Sequence, residues 1–330
     1  MATYKEIKGT QIEVLASDPS NPVEGQVWYN STSAVLKGQA ATAAGSWATT
    51  GSLNQARNQL SAAGQAPRAT SLVFNGFNNP TKYAQTELFN GSSWTELNDL
   101  NAGRAAAFGF GISTAAVTAG GYNGPPGDIA ITETWNGTNW TEVNDMNTGR
   151  YGGGSAGLLT GGLAFGGFST PPSVRQAKTE TWNGTNWTEV NDLNTAKNEG
   201  GSCGATNTAA LQFGGTTGSI TGTTESWNGT NWTEVNDLNT ARIGLAGAGN
   251  YTSALAFGGG TPTLTGASEV WNGTNWTEEG DLNTARNYLT GGGTSNASAI
   301  AAGGQEPSNS SAVELWTGAG AALTRTFTDS

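Results

Sequence analysis

Glutamates and basic residues that could pair or bind a ligand recur along most of this 330-residue chain. One basic residue stands in each repeat, every 44 to 47 residues: Arg57, Arg104, Arg150, Lys197, Arg242 and Arg286. A glutamate stands two residues before an aromatic residue in the same repeats: Glu87, Glu133, Glu180, Glu225, Glu269 and Glu314. Opposite charges at such regular spacing can form the ion pairs of a scaffold or a ring of equivalent ligand sites. A pair of catalytic groups, in contrast, is expected to break the repeat.

Other reactive side chains are scarce. The chain has no histidine and one cysteine, Cys203. This composition removes histidine acid–base chemistry, cysteine metal clusters and intrachain disulfides. The net charge of −11 argues against binding to nucleic acid or anionic membranes. Recurring aspartates such as Asp145 could bind calcium, but a turn at a strand end explains them more simply. We therefore predict that the protein is not an enzyme and has no cofactor or metal.

The elements that must position these residues are short strands. The sequence of residues 134–145 recurs almost unchanged at 181–192 and 226–237, and with changes at 270–281. In the first copy Trp135 and Trp140 flank Asn136-Gly137, which predicts a hairpin with a type I′ turn. Each repeat also contains two further short segments, rich in small residues in most repeats, and then a variable loop; the second segment ends in Gly-Gly in five of the six repeats. Four strands per repeat of this length are typical of a propeller blade.

The order of these features resembles the kelch repeat. A basic residue is followed by a first strand, Gly-Gly closes a second, an aromatic residue ends a third, and tryptophan opens a fourth. The resemblance covers residues 57–330, although tryptophan stands where kelch repeats usually have tyrosine before the turn. It implies an all-β fold, a kelch-like β-propeller of four-stranded antiparallel blades, with six repeats in 57–330.

The segment before the repeats is assigned to two parts. Residues 1–24 are predicted to form an N-terminal arm, and residues 25–56 a β-meander that completes the ring. If the strand around Trp47 completes the last repeat, the ring has six blades. If 27–53 contributes three strands to an extra blade, with 323–328 as its innermost strand, there are seven. We favour seven blades over six.

A second resemblance lies in this N-terminal segment. Its Gly-Gln-Val-Trp-Tyr-Asn at 25–30, Val-Leu-Lys-Gly at 35–38 and Gly-Ser-Trp at 45–47 are similar to short modules at the start of tail-fibre and other structural proteins of tailed bacteriophages. This resemblance implies a virion protein. With no apolar run that could span a bilayer or form a signal peptide, we expect synthesis in the host cytoplasm and no membrane insertion.

Two sets of residues are candidate sites. Some lectin propellers resemble this chain in using tryptophan, arginine and glutamate at each blade junction, which would make sugar sites of Glu133, Glu180, Glu225, Glu269, Arg150, Arg242 and Arg286. We favour a scaffold role for them. Loops that vary in length on one face of a repeat scaffold are usual recognition sites. Their polar or aromatic residues Asn78, Lys82, Tyr122 and Arg175 are therefore our candidate binding residues.

These observations predict a structural and interaction protein of a bacteriophage virion, in a tail fibre, an appendage or a capsid decoration. The arm would bind other virion proteins, and the loop face would bind a host-surface glycan or protein. A second copy of the chain is a further partner to consider. The alternative is a multivalent glycan-binding lectin with sites between blades, and a cellular protein–protein scaffold is a third interpretation.

Overall fold

The computed structural model describes residues 12–19, 26–39, 44–124, 127–319 and 324–327. The chain divides into two compact units, Ser46–Gly318 and a unit made of Met1–Gly45 with Ala319–Ser330. Regular structure in the described residues consists of strands and one short 3-10 helix, Arg68–Thr70. None of the helical structure described is long enough to cross a membrane.

The larger unit contains six four-stranded sheets among its described residues, which we number as blades 1 to 6 from the innermost strands in chain order. The inner strands are Ser61–Ala62, Phe108–Ile112, Gly154–Leu158, Gly201–Thr206, Ala246–Asn250 and Thr290–Ser295. The second strands are Leu72–Phe74, Ala115–Ala119, Gly161–Phe165, Ala209–Phe213, Ser253–Phe257 and Ser298–Ala302. The third strands are Thr86–Phe89, Thr132–Trp135, Thr179–Trp182, Thr224–Trp227, Ser268–Trp271 and Val313–Thr317. The outer strands are Trp94–Glu96, Trp140–Val143, Trp187–Val190, Trp232–Val235, Trp276–Glu279 and Ser46–Thr49.

These sheets form a closed ring, which confirms the predicted all-β propeller. Neighbouring strands within each blade are antiparallel. Each inner strand contacts the inner strand of the next blade, and that of blade 6 contacts that of blade 1. Two short hairpins lie in the loops between second and third strands, Phe77–Asn78 with Thr81–Lys82 and Phe168–Ser169 with Val174–Arg175.

The favoured count of seven blades was wrong, because Ser46–Thr49 is the outer strand of blade 6. Trp47 pairs with Trp316 there, just as Trp140 pairs with Trp135 in blade 2. The outer strand of the last blade therefore comes from the start of the ring. Pairing the two ends of the unit in one sheet leaves no gap in the ring for another blade.

The second unit contains a sheet of Glu13–Leu15, Val27–Asn30, Val35–Gln39 and Thr324–Phe327. Its first pair of strands is parallel and the other two pairs are antiparallel. The predicted meander 25–56 is thus divided, since two of its strands lie in this sheet and only the third completes the ring. Residues 13–15 of the predicted arm are a strand, and most of that arm lies outside the described residues.

Tryptophans on the outer strands join each blade to the preceding one. The ring centroids of Trp140 and of Phe74 in blade 1 lie 4.9 Å apart, and Trp140 Nε1 donates to Thr86 Oγ1 at 2.9 Å. The same hydrogen bond joins Trp187 to Thr132, Trp232 to Thr179, Trp276 to Thr224 and Trp47 to Ser268. The hydrophobic clusters consequently lie between blades, and each includes such an indole.

The repeated hairpin differs from the predicted type I′ turn. Trp135 pairs directly with Trp140, so four residues form the loop. Of these only Gly137 has a positive φ, +92°. The side-chain oxygen of Asn136 accepts from the backbone N–H groups of Thr138 and Asn139 at 2.9 and 2.8 Å. This side chain supplies the turn hydrogen bonds, which is why the asparagine recurs.

Candidate functional site

The recurring glutamates are buried in ion pairs within their own blades. In blade 2, Glu133 pairs with Arg104, and its Oε2 accepts from the backbone and side-chain nitrogens of Asn101 at 2.8 and 2.7 Å. The equivalent pairs are Arg57–Glu87, Arg150–Glu180, Lys197–Glu225, Arg242–Glu269 and Arg286–Glu314. Every side chain in these pairs is at most 2% exposed.

These pairs hold the connections between blades. Asn101 lies on the segment that leads from blade 1 into blade 2, so Glu133 fastens that connection to the third strand. Arg104 also donates to the carbonyl of Ile131 at 2.8 Å. Burial lowers the pKa of Arg104, and the carboxylate of Glu133 opposes that effect. The structure therefore places the repeated glutamates and arginines in the scaffold, and they have no surface on which a sugar could bind.

The other recurring groups are also internal to the fold. Asp145 accepts from the backbone N–H of Thr132 at 3.2 Å, and Asp192 and Asp237 make the same contact with Thr179 and Thr224. Over the described ranges no cluster of three potential metal-ligating side chains occurs. Cys203 is buried, and burial raises its pKa.

A different arrangement surrounds the propeller axis, two residues after each basic residue. The residues at this position are Gln59, Ala106, Gly152, Glu199, Gly244 and Tyr288. Each donates its backbone N–H to the carbonyl of the preceding one, and Gln59 donates to Tyr288, at 2.7–2.8 Å throughout. These six hydrogen bonds form a closed backbone ring, and all six residues have φ between +50° and +66°. We call the opening inside this ring the axial mouth.

Several side chains at the mouth occupy a strained backbone conformation. Glycine adopts the left-handed region freely, but Ala106 and the three larger residues Gln59, Glu199 and Tyr288 do so at a cost of about 1–2 kcal/mol each. A bulky residue such as tyrosine is seldom found there. Strain of this kind is concentrated at functional sites. The three side chains therefore mark the mouth as the candidate site.

The mouth holds a carboxyl–phenol pair beside a cavity of about 120 Å³. Tyr288 Oη donates to Glu199 Oε2 at 3.0 Å, and Gln59 and Tyr151 also line the cavity. Burial raises the pKa of Glu199, while the Tyr288 hydrogen bond and the charge of Arg175 lower it to a smaller extent. Burial and the nearby Glu199 carboxylate raise the pKa of Tyr288.

A glycine makes room for one member of this pair. A Cβ at Gly244 would lie 3.3 Å from the Tyr288 ring, a tight approach, whereas one at Gly152 would lie 3.8 Å from Glu199 Cγ, an ordinary contact distance. The glycine at position 244 thus allows the tyrosine of the next blade to lie over it.

Aromatic residues extend from the mouth across the loops of blades 1 to 3. Lys82 Nζ lies 5.4 Å from the centroid of the Phe77 ring and 5.3 Å from that of Tyr122. Tyr122 and Tyr151 have their ring centroids 5.6 Å apart, and Tyr151 and Phe168 have theirs 5.8 Å apart. We call these five residues the rim row. It brings together Lys82 and Tyr122, two of the four predicted binding residues.

The other two predicted residues have structural contacts. Arg175 Nε donates to Asn198 Oδ1 at 3.1 Å, next to Glu199. Asn78 Nδ2 donates to the carbonyl of Ala56 at 3.3 Å and so fastens its own loop.

Sequence reasoning missed Gln59, Tyr151, Glu199 and Tyr288. A signal was present for three of them, because the residue two positions after the basic residue differs between repeats, and Tyr151 directly follows Arg150.

A glutamine lies at the opposite end of the axis. The inner strands line a second cavity of about 150 Å³. Gln65 follows the inner strand of blade 1. Its backbone N–H donates to Gly111 O in blade 2 and its Nε2 donates to Gly249 O in blade 5, both at 3.0 Å. Blades 2 and 5 face each other across a ring of six, so Gln65 lies across the axis.

Comparisons with known proteins support the fold. No family model matches the sequence, and no curated protein matches it. Among the solved structures, that of YjhT is similar with a TM-score of 0.68 at 11% sequence identity. The likeness covers 84% of this chain and 99% of the YjhT chain. At this identity it shows a shared fold and nothing about shared chemistry.

The prediction that the protein is not an enzyme is corrected by this finding. A propeller fold shared with YjhT over nearly all of that chain excludes no reaction, because function depends on the site that a fold carries. The prediction also rests on the recurrence, with the repeat, of nearly every carboxylate on the repeated strands. Glu199 does not recur, and it is hydrogen-bonded to Tyr288, which does not recur either.

Proposed function

We propose that this chain is a kelch-type propeller that recognises a partner through the axial mouth and the rim row. One observation carries the proposal. The repeated ion pairs and indoles are buried in the scaffold, whereas Gln59, Tyr151, Glu199 and Tyr288, which do not recur, line the cavity at the mouth. Because strands within a blade alternate in direction, the loops between second and third strands lie at the same end of each blade as the mouth. Binding residues are commonly presented in this way by loops on a rigid scaffold.

The chemistry of the rim row supports recognition. Aromatic rings beside a lysine offer apolar area and a positive charge on one face, and aromatic residues are enriched at interfaces. Such residues usually dominate binding energy when a partner covers them. A protein or a glycan of a host surface would be bound here, and not at the blade junctions.

We further propose that the protein is a structural component of a bacteriophage virion, in a tail fibre, an appendage or a capsid decoration. The sequence similarity of residues 25–47 to phage modules supports this assignment. The strands Val27–Asn30 and Val35–Gln39, which carry most of that similarity, belong to a unit separate from the blades. The N-terminal unit would then attach to other virion proteins.

Mass spectrometry of purified phage particles tests the virion assignment. We expect the chain in washed particles at a fixed ratio to other structural proteins, and we expect deletion of residues 1–24 to release it. A chain found only in the soluble lysate would contradict the assignment.

Cell binding by the purified, fluorescently labelled protein tests the mouth face. Tyr122→Ala and Tyr151→Ala are expected to reduce binding to host cells about tenfold or more, as hot-spot residues do. Thr185→Ala is the control, because Thr185 is exposed on a hairpin at the opposite end of blade 3. Equal losses in all three variants, or no loss in any, would contradict recognition at the mouth.

Catalysis at the mouth is the second candidate function, and Glu199 is the observation that favours it. A carboxyl group whose pKa is raised by burial keeps its proton to a higher pH than an exposed carboxyl group does, and can transfer it to a bound molecule. The expected signature is a turnover that Glu199→Gln abolishes while ligand binding persists. If the wild-type protein converts a ligand and the Glu199→Gln variant converts it equally well, Glu199 is not the acid.

A further inference from the structure

We propose that the axial mouth binds one ammonium group, of the kind that a lysine side chain presents, on the carboxylate of Glu199 and the hydroxyl oxygen of Tyr288. This inference rests on the proposed function, because it names the chemistry that the mouth would recognise in a partner.

The hydrogen-bonding groups of the mouth are mainly acceptors. All six backbone N–H groups of the ring are used within it. The Tyr288 hydroxyl hydrogen is donated to Glu199, so the phenol oxygen keeps its lone pairs for another donor. An ionised Glu199 accepts only, and Gln59 and Tyr151 add groups that can accept as well as donate. An ammonium group has three donors and no acceptor, so it complements this surface better than a hydroxyl group.

The size and lining of the mouth also suit such a group. A cavity of about 120 Å³ is several times the space that one water molecule needs, which leaves room for the end of one side chain. The rings of Tyr151 and Tyr288 line it, and aromatic faces attract ammonium groups. The rim row already shows this contact, since Lys82 Nζ lies over Phe77 and Tyr122.

Charges of both signs lie around the mouth, so some attract a cationic ligand and one repels it. The net charge of −11 attracts cations to the protein. Burial raises the pKa of Tyr151, and the charges of Asp128 and Glu199 raise it further, so two carboxyl groups lie near the entrance. Arg175 is the opposing charge, because it lies close enough to Glu199 to lower its pKa. An ammonium ligand must therefore bind against the repulsion of Arg175.

Calorimetric titration tests the proposal with Nα-acetyl-lysine-N-methylamide as the probe. The matched probe is the norleucine amide, which has the same backbone and an uncharged side chain of similar length. At pH 7 and low salt we expect the lysine probe to bind at least about tenfold more tightly than the norleucine probe. Methylammonium chloride is the third probe and is expected to compete with the lysine amide.

Three variants separate charge from shape. Glu199→Gln keeps the side-chain shape and removes the charge, and is expected to weaken lysine-probe binding about tenfold or more. Arg175→Gln is expected to tighten it, by about twofold to tenfold, because a repulsive charge is lost. Glu234→Gln is the control, since Glu234 is exposed on the outer strand of the same blade, and its affinity is expected to stay at the wild-type value.

Several results would overturn the proposal. These are no heat with the lysine probe at its highest soluble concentration, equal binding of the norleucine probe, or wild-type affinity in Glu199→Gln. Binding of methyl glucoside that Glu199→Gln leaves unchanged would instead identify a neutral hydroxylated ligand. If the lysine probe fails while Tyr151→Ala still reduces cell binding, only the ligand class is wrong. If Tyr151→Ala has no effect on cell binding, the proposed function fails.

Discussion

Individual charged residues occupy two different environments in this propeller. The Arg–Glu and Lys–Glu pairs of the blades are buried together with their partners. Glu199 is half-buried at the mouth, bonded to a phenol, and its pKa is raised by burial. Sequence alone could identify the first group, because its members recur at fixed spacing. It could not identify Glu199, since the raised pKa depends on how the blades enclose that carboxyl.

Removing one member of a buried pair is predicted to be costly. Arg150→Met leaves Glu180 charged and buried, and is expected to lower the free energy of unfolding by about 3–5 kcal/mol. Chemical denaturation measures this. Lys178→Met is the control in the same blade, because Lys178 and Glu189 are 33% and 50% exposed, and an exposed pair contributes at most about 1 kcal/mol. Similar losses in both variants would contradict the scaffold role.

The raised pKa of Glu199 predicts a pH-dependent stability. The unfolded chain releases this proton at a lower pH than the folded chain does, so the free energy of unfolding falls as pH rises through the raised pKa. Glu199→Gln removes this loss. Its melting temperature relative to wild type is expected to rise by about 1–3 °C between about pH 4 and pH 7.

Differential scanning calorimetry at both pH values measures the change. Glu234→Gln is the comparison variant, and its melting-temperature difference from wild type is expected to stay constant. A difference for Glu199→Gln that shrinks with rising pH would show that the pKa is lowered in the folded protein.

At the scale of elements, the repeated Trp-Asn-Gly-Thr-Asn-Trp segment has a scaffold role. Its existence as a hairpin was predictable from the sequence, but its turn type was not. Asn-Gly favours a two-residue turn, yet the pairing of Trp135 with Trp140 requires a four-residue loop. The register is fixed by the indoles, which must reach the preceding blade, and that requirement is invisible within one repeat.

The interblade indoles predict a graded loss of stability. The Trp232 ring lies 4.7 Å from that of Phe165 in the preceding blade. Trp232→Ala is therefore expected to lower the free energy of unfolding by about 3–5 kcal/mol. Thr179→Val removes only the acceptor of the indole N–H, with an expected loss of about 1–3 kcal/mol. Urea titrations compare the two, and an equal loss would mean that the hydrogen bond, and not packing, joins the blades.

The whole propeller is closed by strands from the two ends of the larger unit. Repeat length and composition were sufficient to predict a propeller. Blade number was not predictable, because the strand around Trp47 could pair either with Val313–Thr317 or with the N-terminal strands. The choice depends on two residues of blade 5. The Trp47 ring centroid lies 4.9 Å from that of Phe257, and Trp47 Nε1 donates to Ser268 Oγ at 2.9 Å.

Truncation tests this closure. A chain of residues 44–319 contains all six blades and is expected to fold and to melt cooperatively. A chain of residues 51–319 lacks the outer strand of blade 6 and exposes the edge of Val313–Thr317. We expect it to aggregate, or to melt about 5 °C or more below the longer chain. Equal melting temperatures would contradict closure by this strand.

The central claim is that binding lies in residues that break the repeat. Site-specific photo-cross-linking on host cell envelopes tests it most directly, with benzoylphenylalanine at position 122 on the rim row or at position 185 on the opposite hairpin. We predict cross-links to a host component from position 122 and none above background from position 185. Cross-links from position 185 alone would place the interface on the repeated hairpins and contradict the account.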